Sequence, residues 1–180
     1  KIDSSKPIER GLNIDETQAV EFSIKASDLN NDPLTYTWKL DGNDAENSPD
    51  YTYQSDYDSA GTHTVKIDVT DGMSATSKIW SVQVRNVNRK PALERMEDIE
   101  AKETDRIVIT ALATDDDKDS LTYAIDDKKF TQSDNVFTWE TDYDSAGAYE
   151  ATVSVSDGQD TTEQTVKINV ENVNRPPVIV

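Results

Sequence analysis

Asp56-Tyr57-Asp58-Ser59-Ala60-Gly61 recurs unchanged as Asp142-Tyr143-Asp144-Ser145-Ala146-Gly147, 86 residues further on. The same interval relates Asp71-Gly72 to Asp157-Gly158, and Asn86-Val87-Asn88-Arg89 to Asn172-Val173-Asn174-Arg175. The chain is one unit written twice. Identity within an otherwise diverged pair marks a local demand, either of backbone geometry at a turn or of the two carboxylates. A repeat of this length is a comfortable size for an autonomous core. The 180 residues therefore divide into domains expected at 1–88 and 89–175, with 176–180 as the start of a linker to a further module.

Outward from the motif, apolar residues fall on alternate positions, the period of a half-buried strand. In the first unit these are Val20, Phe22, Ile24 and Ala26; Leu34, Tyr36, Trp38 and Leu40; Tyr51 and Tyr53; His63, Val65, Ile67 and Val69; then Trp80, Val82 and Val84. A first strand is expected after the extended Lys6-Pro7 entry. Asp28 to Pro33 and Asp41 to Asp44 are turn signals, and the polar stretch to Pro49 is expected as a loop. The second unit repeats the plan with Ile107, Ile109, Ala111 and Ala113, with Leu121, Tyr123 and Ile125, and with Phe137 and Trp139. Its last strands carry Tyr149 to Val155 and Val166 to Val170, and the repeats differ most at Asp126 to Phe130. With no helical period anywhere, the expected fold is all-β, two tandem antiparallel β-sandwiches. The short, proline-containing Asn88-Arg89-Lys90-Pro91 is expected to restrict swing between them.

Thirty-six acidic residues against 18 basic ones, a net charge of −18, argue against nucleic acid or an anionic membrane as partner and for divalent cations. Acidity also serves solubility. The absence of cysteine excludes thiolate metal sites and a cysteine nucleophile. No apolar run is long enough to span a bilayer.

Oxygen donors gather in three places in each unit. Asp28-x-Asn30-x-Asp32 matches Asp115-Asp116-Asp117-x-Asp119, Asp56-x-Asp58 matches Asp142-x-Asp144, and Asn86-x-Asn88 matches Asn172-x-Asn174. A hard cation such as calcium takes six to eight such oxygens. Each cluster alone is also the ordinary material of turns, but carboxylates packed at one end of a small domain repel unless a cation sits among them.

The ordered elements Ala113-Thr114-Asp115-x-Asp117-x-Asp119-Ser120-Leu121-Thr122-Tyr123, Phe137-Thr138-Trp139, Thr141 to Gly147, Val155-Ser156-Asp157-Gly158 and Asn172-Val173-Asn174-Arg175-Pro176-Pro177 resemble the cadherin-like, dystroglycan-type cadherin-like (immunoglobulin-like) modules of prokaryotic surface proteins. The likeness spans both repeats. It implies calcium at the junction between modules, held by Glu16, Asp56 and Asp58 of the leading one, by Asn86 and Asn88 of the linker, and by Asp115, Asp117 and Asp157 of the following one. Incomplete sets would lie at the far end (Glu103, Asp142, Asp144, Asn172 and Asn174) and at the near end (Asp28, Asn30, Asp32 and Asp71). Glu100 competes with Glu103 as the counterpart of Glu16. One departure concerns the linker, where cadherins carry an aspartate and this chain has Arg89 and Lys90. A guanidinium cannot ligate a cation, and is expected to pair with Asp56 or Asp117, lowering the number of ions or replacing them.

Trp38, Trp80 and Trp139 are expected in the cores, and Tyr51, Tyr53, Tyr57 and Tyr143 are the candidates for stacking on sugars. His63 aligns with Tyr149 on an inward face, and a lone histidine does not make a zinc site. The expected function is a non-catalytic extracellular pair, in a secreted or cell-surface protein, stiffened by calcium. Its partners would be other modules of the chain, a surface protein or a glycan. The alternative is a carbohydrate-binding accessory module of a secreted hydrolase. Asp56 with Asp58 formally offers an acid and a base, but same-loop aspartates on a filled sandwich have no pocket.

Overall fold

The computed structural model describes residues 1–177. The expected linker start at 176–180 lies partly outside the described residues. The chain separates into two compact units, Lys1–Val87 and a second that opens at Asn88.

The first unit contains β1 (Ile2–Lys6), β2 (Gly11–Asp15), β3 (Ala19–Ala26), β4 (Thr35–Leu40), β5 (Asn43–Glu46), β6 (Asp50–Gln54), β7 (Gly61–Thr70) and β8 (Ala75–Arg85). They form two sheets, ordered β1-β3-β6 and β2-β8-β7-β4-β5. The second unit contains β9 (Ala92–Leu93), β10 (Ile99–Lys102), β11 (Arg106–Thr110), β12 (Ala113–Thr114), β13 (Thr122–Ile125), β14 (Thr131–Ser133), β15 (Val136–Glu140), β16 (Gly147–Ser156) and β17 (Thr161–Glu171). Its sheets run β10-β17-β16-β13 and β11-β15-β14, with β9 and β12 as a short pair. No helix occurs among the described residues.

Two features depart from the expected pattern. The sandwiches are antiparallel apart from one pairing in each: β2 runs parallel to β8, and β10 parallel to β17. Chain entry causes this. The strand expected only after Lys6-Pro7 is present on both sides of it, β1 lying on β3 in one sheet and β2 crossing to β8 in the other. The second departure is the stretch expected as a loop after Asp41, which contains β5, an exposed edge strand. β14 is likewise an exposed, polar edge. Neither buries a face, so neither shows alternation.

The alternating residues form the cores. In the first unit Phe22, Trp38 and Trp80 are fully buried, with ring centroids 5.9, 5.1 and 5.7 Å apart for Phe22–Trp38, Phe22–Trp80 and Trp38–Trp80. Each indole finds a carbonyl, since Trp38 Nε1 donates to Ser48 O at 2.9 Å and Trp80 Nε1 to Pro7 O at 3.0 Å. The second core is more aliphatic, built on Ile107, Ile109, Phe137, Val153, Val166 and Ile168 around Trp139. Phe130, from the loop where the repeats diverge, is buried edge-on against Trp139 at 5.8 Å. Lys129 from the same loop lies over the Trp139 and Tyr149 rings at 5.7 and 4.9 Å.

The two buried clusters share no residue. Trp80→Ala should therefore cost the first unit about 3–5 kcal/mol. Fluorescence and calorimetric unfolding should show the loss in that unit, with amide protection in the second core preserved.

Candidate functional site

Each copy of the repeated motif closes on itself. The Asp56 Oδ1 accepts from the Asp58 amide at 3.1 Å and from the Ser59 hydroxyl at 2.5 Å, while the Asp56 amide donates to Ser59 Oγ at 2.9 Å. In the second copy the corresponding lengths are 3.0, 2.6 and 2.9 Å. The carboxylates of Asp56 and Asp142 are held below the usual aspartate range, first by the serine hydroxyl and then by the amide two residues on. Gly61 and Gly147 follow with φ of 134° and 147°, a region side chains resist.

Next to this turn lies a second conserved between the copies. Gln18 N donates to Asp15 O, and Asp105 N to Lys102 O. Within these turns Thr17 and Thr104 adopt φ of 67° and 71°, a strained conformation for a β-branched residue. Each threonine directly follows a buried glutamate. Glu16 is 1% exposed and Glu103 2%. The Glu16 Oε2 accepts from the Val87 amide at 2.8 Å, and Glu103 Oε2 from Val173 at 2.7 Å and from Asn172 Nδ2 at 3.4 Å. Thus Glu103, and not Glu100, is the counterpart of Glu16. Glu100 instead accepts from Asn169. Ser55 and Thr141 join the two turns, their hydroxyls donating to Gln18 O and Asp105 O at 2.7 Å. Glu16, the Asp56–Asp58 turn and Asn86 therefore share the end of the first unit where β2 and β8 finish and β7 begins.

In the second unit the remaining four expected ligands, Asn88, Asp115, Asp117 and Asp157, meet at the opposite end. Arg89 donates to Asp117 through its amide at 2.6 Å and its Nε at 2.7 Å, and through Nη2 to Asp116 O at 2.9 Å. Both Asp117 oxygens are so engaged, and its carboxyl is pulled below the usual range by the Arg89 amide first, then by the guanidinium. Asn88 Nδ2 donates to Asp157 at 3.0 Å and to Asp160 at 2.8 Å, and Asp157 Oδ1 accepts the Gln159 and Asp160 amides. The Asp115 Oδ1 takes the Asp117 and Asp119 amides.

Two carboxylate oxygens at these ends are buried without a hydrogen-bond partner, Glu16 Oε1 and Asp115 Oδ2. Among the described residues no group of three or more His, Asp or Glu side chains stands close enough to hold a metal by itself. Each unit thus keeps one unserved carboxylate oxygen, but in the first no guanidinium is bonded to the Glu16 carboxylate. Asp117 in the second unit already has a positive partner in Arg89.

The tyrosines are not equivalent. Tyr53 is buried, and Tyr51 stacks on Trp38 at 5.6 Å, so both belong to the core rather than to a sugar platform. Tyr143 carries the Arg175 guanidinium 4.9 Å above its ring, held by Asp144 and the Tyr143 carbonyl. Tyr57 remains 44% exposed. Ser55, Thr141, Thr17 and Thr104 were not singled out by spacing. Their signal is their place directly before the repeated motif or directly after the paired glutamates.

Glu16→Ala should strip the Val87 amide of its acceptor at a cost of about 1–3 kcal/mol and expose it to hydrogen exchange, whereas Glu16→Gln should retain protection. Arg89→Ala should strip the guanidinium from Asp117 while the backbone amide still donates to it. Because the depressed Asp117 stabilises the fold above its ordinary pKa and ceases to as pH falls through its folded value, acid unfolding of the second unit should become shallower in the variant.

Residues 6–85 match the model of the PKD domain, and residues 88–169 that of the bacterial Ig domain. A Chitinase A from Pseudoalteromonas piscicida is 30% identical over 125 residues, 63% of this chain, and the chain spans only 14% of that protein. Among solved structures, Drosophila N-cadherin EC1-4 superposes with a TM-score of 0.56 at 20% identity, over 91% of this chain and 47% of the other. Domains of the two matched kinds are typically non-catalytic and typically occur in extracellular or secreted proteins. The chain is a tandem of immunoglobulin-like, cadherin-like β-sandwich modules, a PKD domain followed by a bacterial Ig domain.

Proposed function

We propose that the pair is a non-catalytic structural and adhesion segment of an extracellular or cell-surface protein, and that calcium bound at the module ends stiffens it. The observation that carries this reading is the buried Glu16, with one oxygen fastening the Val87 amide and the other lacking any donor. An anionic oxygen out of water is costly without a partner, and calcium prefers such oxygens. Glu16, Asp56, Asp58 and Asn86 would hold the ion. Asn88, Asp115, Asp117 and Asp157 would form a second set within the second unit. Arg89 on Asp117 reduces the number of ions that set can take. When bound, calcium would supply positive charge to these carboxylates; the residues supply oxygens, and Glu16 directs the segment that leaves β8.

An ion bound only by the folded arrangement stabilises it by about 2.7 kcal/mol at a hundredfold excess over Kd. Calcium titrated into metal-free protein should release or absorb heat, raise the unfolding temperature and change the small-angle scattering profile. Glu16→Gln should weaken all three responses. No heat and an unchanged profile in the wild type would remove the calcium reading.

The likeness to a chitinase favours a second reading, a carbohydrate-binding accessory module. Tyr57 and Tyr143 are both exposed candidates for stacking. Retention on insoluble chitin that is lost in Tyr57→Ala would favour it over the structural reading.

A further inference from the structure

The single histidine of the chain sits in an environment that only its charged form satisfies. His63 lies on β7 directly after the repeated motif, with its ring largely withdrawn from solvent. Its Nδ1 is 2.8 Å from Asp41 Oδ2, and its Nε2 is 2.8 Å from the Ser59 carbonyl. Both partners are acceptors. A neutral imidazole has one N–H and one lone pair, so it can serve one of them and must turn its lone pair on the other. The imidazolium, with two N–H groups, serves both.

Asp41 is fixed for this role. It occupies the tight turn between β4 and β5 with φ of 50°, and its Oδ1 accepts the Thr64 amide at 2.7 Å. Its other oxygen is thereby aimed at the ring. The remaining titratable groups that face His63 are Asp56, across the turn, and Tyr53 on β6, whose ring lies 5.5 Å away. β8 presents Val82 opposite His63. Among the described residues, the charges that act on the ring, those of Asp41 and Asp56, are negative.

The second unit shows what the contact does. Tyr149 stands at the position of His63, and its hydroxyl donates to Ser145 O at 3.0 Å, the counterpart of the Ser59 carbonyl. One unit fastens the motif with an imidazole, the side chain whose charge changes near neutrality, and the other with a hydroxyl.

We propose that His63 is a proton-operated latch on the Asp56–Gly61 turn, closed when the imidazole carries both protons and released when it loses one. Tyr149 makes the matching contact permanent in the second unit. Burial alone would lower the affinity of the ring for its second proton, but the hydrogen bonds to Asp41 and Ser59 and the charges of Asp41 and Asp56 reverse this, and the net shift is upward. A raised folded value means that the stabilisation is fully present below the unfolded value of about 6.5 and is lost as pH rises through the folded one. Asp41 sets the acid limit. Burial pushes its carboxyl up, yet the Thr64 amide and His63 hold it below the usual range, so its contribution is lost as pH falls through that lowered value.

The test is a nitrogen-15 NMR titration of the full chain. At pH 6 both ring nitrogens should carry protons, and the midpoint should lie above that of free histidine. The amides of Ser59 to Gly61 should follow the same midpoint, while those of Ser145 to Gly147 stay fixed. Asp41→Asn should lower the midpoint, and His63→Tyr should abolish the response of the turn in a folded module. A neutral tautomer at pH 6, a midpoint at or below that of free histidine, turn amides that ignore the titration, or a response that survives His63→Tyr would each overturn the latch.

Discussion

A carboxylate withdrawn from water must find donors, and that requirement organises the end of each module. Glu16 and Glu103 are nearly inaccessible, and each spends an oxygen on the amide of the valine that leaves the last strand. The exit of the chain is thereby tied to the body of the module by the side chain least able to dispense with the bond. The left-handed Thr17 and Thr104 directly follow these glutamates, so a strained turn accompanies each buried carboxylate. The repeated aspartate motif then packs alongside, joined through Ser55 or Thr141 to the turn that carries the glutamate.

Much of the fold was legible because burial writes itself into alternation. Phe22, Ile24, Trp38, Val65 to Val69 and Trp80 to Val84 were placed inward by spacing and are inward. Strand direction leaves no such trace, since period two is the same for either sense, so the parallel pairings of β2 and β10 were missed. Asn43 to Glu46 and Thr131 to Ser133 form edge strands with every residue exposed, so no buried face marks them in the sequence. Tyr51 and Tyr53 were misjudged for a related reason. A tyrosine alternating on a strand buries its ring whether or not its hydroxyl reaches solvent, and here both rings join the core.

At the candidate site, spacing marks the oxygen donors but not which groups neutralise them. Arg89 is expected on Asp56 or Asp117, and within the second unit it bonds Asp117. Asn88, expected to offer an oxygen to a cation, instead donates its amide hydrogens to Asp157 and Asp160 and accepts from Gln159. Such choices depend on which lone pairs face which protons in three dimensions. In a chain of net charge −18, a guanidinium and an amide placed beside clustered aspartates do part of what a metal ion would do, without needing supply from outside.

The parallel edge strands have a mechanical meaning. Gly11 to Asp15 lie beside Ser81 to Arg85, near the opposite termini of the first unit and pointing the same way. Tension drawn through the chain pulls β2 back along its axis and β8 forward along its own. The hydrogen bonds between them are then loaded together in shear, and none can part before its neighbours. An antiparallel pair at this place, pulled at one end, would open like a zipper, one bond at a time. The second unit repeats the geometry with Ile99 to Lys102 against Ile168 to Glu171, so each module carries a parallel pair that stretching force loads in shear.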